Sequence, residues 1–196
     1  GHMHGATLLD KNGEILHPCI LWNDTRSYKQ ASILDKDVNL REITGNIVFP
    51  GFTAPKLLWI QNNKPELFDQ VAKVLLPASY LGYYLTGEFF MDMSDAAGTS
   101  WLDVGNRCWS EYALKAGKMR SDQMPKLLEG SQVASSVSKF IADELGIPSG
   151  VSVVAGAGDN AAAACGVGIM KEGQGFVSIG TSGVLLTARD AYTPLA

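Results

Sequence analysis

A single acidic residue, Asp159, stands where a strand pattern gives way to a helix pattern. The apolar run at residues 151–154 predicts a buried strand, and Gly156 and Gly158 allow a sharp turn after it. Open α/β sheets bind their ligands in the crevice between a strand end and the helix that follows. Asp159 is therefore a candidate general base, or charge-stabilising group, for a substrate hydroxyl.

The same position also has a purely structural interpretation. Asp and Asn are favoured as helix N-caps, and Asp159 and Asn160 fall at the predicted start of the helix. The four alanines at 161–164, with Gly166 and Gly168, predict a helix whose backbone approaches a neighbour closely. These local residues do not decide whether Asp159 caps the helix or faces a substrate.

A polar turn joins two further predicted strands, at residues 175–179 and 184–188. The turn consists of Gly180, Thr181, Ser182 and Gly183. Its amide and hydroxyl groups all donate hydrogen bonds, which suits the oxygens of a phosphate. The same residues are also those of an ordinary tight turn, so both interpretations stay open.

Two carboxylates three residues apart, Asp92 and Asp95, are another candidate pair. They lie in the polar stretch at residues 92–99, which contains serine, threonine and glycine. Acid–base chemistry would use two such groups with different pKa values. The composition of the stretch favours loop and helix-capping roles instead.

Strand and helix patterns alternate along the chain, which predicts the α/β class. Predicted strands lie at residues 6–10, 20–22, 73–77, 151–154, 175–179 and 184–188. Predicted helices lie at 27–34, from about 55, from 65, at 79–85, 111–116 and 138–145. An Asn-Gly pair after the first strand predicts a hairpin turn.

The composition of the 196-residue chain is that of an ordinary globular domain. Hydrophobic residues make up 46% and charged residues 18%, enough apolar material for one large core or slightly more. The net charge is −4, and no basic cluster is present. These features argue against a surface for nucleic acid or an anionic membrane. No stretch reaches the roughly 18 apolar residues of a membrane helix and no signal peptide is visible, so we expect a cytoplasmic protein.

The cysteines predict a reducing compartment. Cys19, Cys108 and Cys165 are odd in number and far apart, which favours buried free thiols over a disulfide framework. No Cys–His spacing suits zinc.

Three stretches together resemble the signatures of the FGGY family of carbohydrate kinases. The first is Gly-Phe-Thr-Ala-Pro-Lys-Leu-Leu-Trp-Ile-Gln-Asn-Asn at residues 51–63. The Gly-Asp-Asn-Ala-Ala stretch at 158–162 and the turn at 180–183 follow at the expected places. Several ordered motifs along nearly the whole chain are far more specific than any one of them. The resemblance implies the actin-like, ribonuclease H-like superfamily, in which two domains close on a cleft.

Within the family, the resemblance is to bacterial kinases of D-xylulose. It is carried by residues 3–10, 20–24 and 93–99. It implies phosphorylation of D-xylulose by ATP, with Mg²⁺, to D-xylulose 5-phosphate in xylose catabolism. We identify no direct protein ligand for the metal in the sequence.

The resemblance also implies roles for individual residues. Asp159 matches the catalytic general base, and Asn160 matches its neighbour at the sugar. Met3 and His4 match a pair that contacts the sugar, with His4 expected to donate a hydrogen bond, and Trp22 falls where related kinases line the substrate pocket. The matched ATP phosphate-binding turn comprises Gly180, Thr181, Ser182 and Gly183.

The resemblance divides the chain unequally between the two domains of the family. Residues 1–172 match part of the sugar-binding N-terminal domain, and 173–196 match the first hairpin of the nucleotide-binding domain. The family's first segment and its adenosine-binding part have no counterpart here. His2 stands where the family has Gln, as expected if Gly1-His2 is a tag remnant. We therefore expect a fragment that does not turn over by itself and whose uncovered sheet edge favours a homodimer.

Two other interpretations of the same residues remain. Gly156, Gly158 and Ala161 after a strand mimic a dinucleotide fingerprint, but the next predicted strand ends at Ile179 without the acidic residue that a ribose needs. A non-catalytic, truncated sugar-binding remnant is the second. Within the kinase interpretation, L-ribulose, glycerol and gluconate are alternative substrates.

Overall fold

The protein is described from a computed structural model, which covers residues 2–180 and 183–194. Its α-helices are α1 Tyr28–Leu34, α2 Val38–Thr44, α3 Thr53–Asn63, α4 Pro65–Phe68, α5 Pro77–Thr86, α6 Met93–Ala97, α7 Glu111–Ala116, α8 Lys139–Leu145 and α9 Asp159–Gly166. Its strands are β1 Thr7–Leu9, β2 Lys73–Leu75, β3 Phe90–Asp92, β4 Leu102–Asp103, β5 Cys108–Trp109, β6 Lys126–Leu128, β7 Val133–Ser136, β8 Ser152–Val154, β9 Gly175–Ile179 and β10 Gly183–Thr187. A short 3₁₀ helix spans Ser121–Gln123.

The strands pair two by two. Antiparallel pairs form between β1 and β2, β4 and β5, β7 and β8, and β9 and β10. The parallel pair is β3 with β6, where Phe90 lies opposite Lys126. The predicted hairpin at the end of the chain is confirmed, with Gly183 opposite Ile179.

The main hydrophobic core lies where β1 and β2 pack against α3. Leu8, Leu57, Ile60 and Val74 are all at most 1% exposed there, together with the ring of Trp101. Burying each such side chain stabilises the fold by about 1.5–3 kcal/mol relative to leaving it exposed. Leu57 and Ile60 are three residues apart on α3, so one helix face carries the contact.

Capping residues set several of the helix ends. The Ser110 and Ser138 hydroxyls accept hydrogen bonds from backbone amides in the first turns of α7 and α8. Gly146 ends α8 with a left-handed φ of 67°, as expected for a glycine C-cap. At α3 the N-cap is Phe52 rather than Thr53, and Thr53 is already helical.

Several expectations of burial are wrong. Val151 and Val154 are 45% and 48% exposed, because within the described residues β8 pairs only with β7 and lies at an edge. Only Ala164 of α9 is buried, so the small residues of this helix pack against no close neighbour in the described chain. The strand expected at 20–22 reduces to one bridge between Ile20 and Ala6.

The cysteines are free, as predicted, but they are not buried. Cys108 and Cys165 are exposed and Cys19 is half-buried. Helix α2, which the sequence pattern did not indicate, begins at an N-cap, Asp37, whose carboxylate accepts from the amide of Leu40. Its apolar periodicity is too short to have stood out.

Candidate functional site

One cavity of about 470 Å³ gathers the predicted catalytic and sugar-contacting residues. Its walls are His2, Met3, His4, Trp22, Asp159, Asn160 and Val184. These residues come from the two ends of the chain and from its middle. All five residues predicted for catalysis and sugar contact therefore line one cavity.

Asp159 is the first residue of α9 and does not cap it. The N-cap is Gly158, and no side-chain cap hydrogen bond is formed there. The N-cap interpretation of Asp159 is therefore wrong. Its exposed carboxylate still lies in the first turn, where the partial positive charge of the helix end favours a negative group.

The turn before Asp159 is held tightly against α6. The Gly158 amide donates to the Ser94 hydroxyl at 2.8 Å. A Cβ on Gly158 would lie 2.8 Å from the Met3 sulfur and 3.1 Å from a carboxylate oxygen of Asp95. A larger residue there would have to push the Met3 side chain aside, so close packing helps to locate Asp159 at the start of its helix.

His4 is held in a special backbone conformation with its ring fixed. Its φ is 63°, in the left-handed region. The ring nitrogen Nδ1 is 2.8 Å from the carbonyl oxygen of Gly98, and the ring packs 4.8 Å from that of Phe52. Because a carbonyl only accepts, Nδ1 carries the proton.

Burial lowers the pKa of His4, although the hydrogen bond to Gly98 acts in the opposite direction. The imidazole is therefore neutral at neutral pH, and Nε2 is an acceptor. The expected hydrogen bond from His4 to a sugar oxygen stays a prediction, and with the proton on Nδ1 held by Gly98 it would need the protonated ring.

Asp92 and Asp95 take different roles. The Asp92 carboxylate caps α6 by accepting from the amides of Ser94 and Asp95, at 2.9 and 3.0 Å, so the capping interpretation holds for it. Asp95 is completely buried, and neither of its oxygens has a hydrogen-bond partner among the described residues. Burial raises the pKa of Asp95, and the charge of Asp92 adds to the effect. Asp95 thus lies behind the cavity wall and outside its lining.

Trp22 lines the cavity with a largely exposed ring. Its side chain is 57% exposed, as suits a ring that a ligand would cover. A Cβ on Gly51 would lie 2.6 Å from the Trp22 carbonyl oxygen, so the Gly51 backbone packs directly on the Trp22 backbone.

The predicted phosphate-binding turn is only partly visible. Gly180 and Gly183 are described, whereas Thr181 and Ser182 lie outside the described residues. Val184, which follows Gly183 on β10, lines the cavity beside Asp159. The hairpin that carries the turn therefore reaches the same cavity.

Sequence reasoning missed Lys56, Val184 and His2. Lys56 is completely buried on α3, and its amine contacts the backbone beneath the cavity. A signal was present, because Lys56 precedes Leu57 and lies four residues before Ile60 on the core-facing side of a helix.

Neither a metal cage nor a membrane span occurs in the part of the chain that the structure describes. In residues 2–180 and 183–194, no three His, Cys, Asp or Glu side chains cluster to hold a metal ion. Across the same residues, no helix is both long and apolar enough to cross a membrane.

The model of the FGGY family of carbohydrate kinases, N-terminal domain, matches residues 1–166. The chain belongs to this family. The xylulose kinase of Escherichia coli (strain K12) is 51% identical over 193 residues, which are 98% of this chain and 40% of that protein. The xylulose kinase of Klebsiella pneumoniae is 49% identical over the same number of residues, again 40% of its length.

A solved structure agrees with the family assignment. A xyloylose kinase from Brucella ovis is 56% identical and superimposes with a TM-score of 0.96. The match covers all of this chain and 40% of the Brucella chain. The family's actin-like α/β fold, implied by the sequence resemblance, is thereby confirmed. The chain spans about 40% of the length of these relatives.

Proposed function

We propose that this chain is the sugar-binding part of a carbohydrate kinase that transfers a phosphoryl group from ATP to D-xylulose. The product is D-xylulose 5-phosphate, an intermediate of xylose catabolism. The observation that carries the proposal is the cavity in which Asp159 faces Met3, His4, Trp22 and Asn160. Its volume of about 470 Å³ is within the range of small-molecule sites.

The cavity offers complementary chemistry to a sugar. Asp159 accepts hydrogen bonds as a carboxylate, neutral His4 accepts through Nε2, and the Asn160 amide both donates and accepts. Met3 and Trp22 supply apolar surface for the carbon skeleton. A sugar alternates hydroxyl groups with C–H faces, so this mixture fits it.

The proposed role of Asp159 is that of general base. A primary hydroxyl is a poor nucleophile, and a carboxylate within hydrogen-bond reach orients it and accepts its proton during attack. The hydroxyl oxygen forms a bond to the γ-phosphorus, the bond from that phosphorus to the β,γ-bridging oxygen breaks, and ADP leaves. Most of the rate acceleration comes from positioning and from stabilising charge on the phosphoryl oxygens.

We assign the ATP phosphates to the turn of Gly180, Thr181, Ser182 and Gly183. This assignment goes with the division into a sugar-binding part at 1–172 and the first hairpin of a nucleotide-binding part at 173–196. Kinases of this chemistry use Mg²⁺ with ATP, and the described residues do not form a protein cage for it. We also propose that the protein acts in the cytoplasm. We further propose a homodimer, and the molecular mass in solution tests this second proposal.

The first experiment is ATP consumption by the full-length protein on D-xylulose, L-ribulose, glycerol and gluconate. Asp159→Asn keeps the size of the side chain and removes the base. We expect preference for D-xylulose and a fall in kcat of about 10²- to 10⁴-fold in the variant. Asp143→Asn, at an exposed ion pair with Lys139 on α8, is the matched control and keeps full activity.

Either of two results contradicts the proposal. One is a folded wild-type protein that consumes no ATP with any of the four compounds. The other is an Asp159→Asn variant with wild-type kcat, which removes the assigned base even if the substrate is correct.

A further inference from the structure

Lys56 is a buried cation with no carboxylate partner. It is 0% exposed, and none of the ion pairs among the described residues includes it. Its ammonium donates instead to two main-chain oxygens, that of His4 at 2.6 Å and that of Gly51. Burial lowers the pKa of Lys56 to about 8.

Stability alone does not account for this residue. Taking an ammonium out of water is unfavourable unless it is well paired, and an apolar side chain of the same length would fill the space without that penalty. The neighbouring core positions on α3, Leu57 and Ile60, are apolar. The presence of a lysine at this position is therefore explained by the two carbonyl groups that its amine binds.

One of the two carbonyl groups belongs to a residue that lines the cavity, and the other belongs to a residue packed against one. His4 lines the cavity and has a left-handed φ of 63°, which non-glycine residues rarely adopt. Its carbonyl also accepts from the Thr53 hydroxyl at 3.3 Å, again from α3. Gly51 packs against the backbone of Trp22, which also lines the cavity.

We propose that Lys56 is a positioning residue for the sugar, acting through the main chain of His4 and, through Gly51, of Trp22. Lys56 does not line the cavity. One ammonium ties two segments that are 47 residues apart, so the spacing between the His4 and Gly51 segments depends on it. The inference rests on the proposed sugar kinase function of the same cavity.

The test compares Lys56→Met with wild type in the full-length protein, using D-xylulose and ATP. Met keeps an unbranched apolar stem and removes the donor. A charge-assisted hydrogen bond is among the stronger ones, so we expect KM for the sugar to rise about tenfold or more, with KM for ATP unchanged. Thr53→Val removes the weaker bond to the same carbonyl, and we expect a smaller rise in the same direction.

Two control variants separate positioning from general loss of stability. Leu57→Ala leaves a void in the core on the same helix. Lys73→Met removes an amine that donates to the Asp122 carbonyl over 2.6 Å, at a place outside the candidate site. Neither is expected to change KM for the sugar. If Leu57→Ala raises KM as much as Lys56→Met, Lys56 is merely structural and the inference is wrong.

A double variant tests the route through His4. In a His4→Ala background, Lys56→Met should add less to the rise in KM than it does in wild type, because the imidazole that it positions is gone and only the route through Gly51 and Trp22 remains. Fully multiplicative effects would overturn the inference. If Lys56→Met does not fold, an unchanged KM in Thr53→Val overturns it.

The inference and the proposed function fail in different ways. If the wild type is active and Lys56→Met has the same KM for the sugar, the inference is wrong and the proposed function stands. A wild type that phosphorylates no sugar sinks the proposed function and removes the basis of the inference with it.

Discussion

At the scale of single residues, burial separates the ionisable groups near the cavity into two sets. Asp95 and Lys56 are completely buried, and in both cases burial disfavours the charged form, raising the pKa of the carboxyl and lowering that of the amine. Asp159 is exposed at the cavity. The carboxylate that a ligand meets is therefore Asp159, with Asp95 behind it.

The shifted pKa of Lys56 predicts opposite pH effects on stability and on sugar affinity. Between about 8 and 10.5 the unfolded chain retains the lysine proton and the folded chain loses it, so this residue's contribution to the free energy of unfolding rises with pH. Over the same range the neutral amine holds the His4 carbonyl less strongly, and KM for the sugar should rise. The nearby Cys19 and Asp24 charges favour the cation and limit both effects.

The measurement is the difference between wild type and Lys56→Met in urea unfolding and in KM for D-xylulose, across this pH range. Other titrating groups are common to both proteins and cancel in the difference. A difference in unfolding free energy that stays flat with pH would contradict the shifted pKa.

At the scale of elements, the site depends on how the turn before α9 docks on α6. Ser94 of α6 accepts from the amide of Gly158, and Met3 and Asp95 fill the space where a Cβ would be. Helix α9 itself is mostly exposed. Its first turn is therefore located by this contact region together with the Gly156 amide, which donates to the Gly130 carbonyl at 3.0 Å.

Gly158→Ala should reduce activity more than stability. Its φ of −57° suits any residue, so the effect comes only from the new methyl group meeting Met3 and Asp95. A displacement of Asp159 by about 1 Å lowers kcat by about 10²-fold. Steady-state kinetics on D-xylulose measure this effect.

Gly166→Ala is the control on the same helix. No described atom lies within 4 Å of the new Cβ, so the variant should keep its activity. It should gain about 0.5–1 kcal/mol in stability, since alanine loses less backbone freedom than glycine on folding. Equal activity of Gly158→Ala and Gly166→Ala would show that the docking contact does not locate Asp159.

At the scale of the whole molecule, Tyr192 joins the segment that follows β10 to the end of α2. Its hydroxyl is 2.7 Å from the carbonyl oxygen of Glu42 and 3.1 Å from that of Ile43, at the end of α2. Its ring lies against Gly45 and Gly105, where a Cβ would approach to 3.0 and 3.1 Å. This contact spans about 150 residues of sequence.

Tyr192→Phe should loosen that link and leave the cavity intact. Without the hydroxyl, the carbonyl groups of Glu42 and Ile43 lose their shared donor, and the free energy of unfolding falls by about 1 kcal/mol. We expect faster tryptic cleavage after the exposed Arg189 and a small loss in unfolding free energy. Tyr84→Phe is the control, because the Tyr84 hydroxyl has no hydrogen-bond partner within residues 2–180 and 183–194. If both variants are cleaved at the wild-type rate, the link through Tyr192 is contradicted.

Local features were predictable from sequence because they depend on neighbours in the chain. The serine N-caps of α7 and α8, the Gly146 C-cap and the β9–β10 hairpin follow from residues within one turn of each other. The ordered motifs were also enough to indicate the family, since each is a short run of residues.

Only the tertiary structure decided how those pieces meet. Whether Asp159 caps α9 depends on Gly158 packing against Met3, and the proton position on His4 depends on a carbonyl 94 residues away. The completely buried position of Lys56 likewise depends on how α3 packs into the core. Sequence determined the elements and the family, whereas contacts between distant segments determined burial, pKa and cavity, because these depend on which surfaces exclude water together.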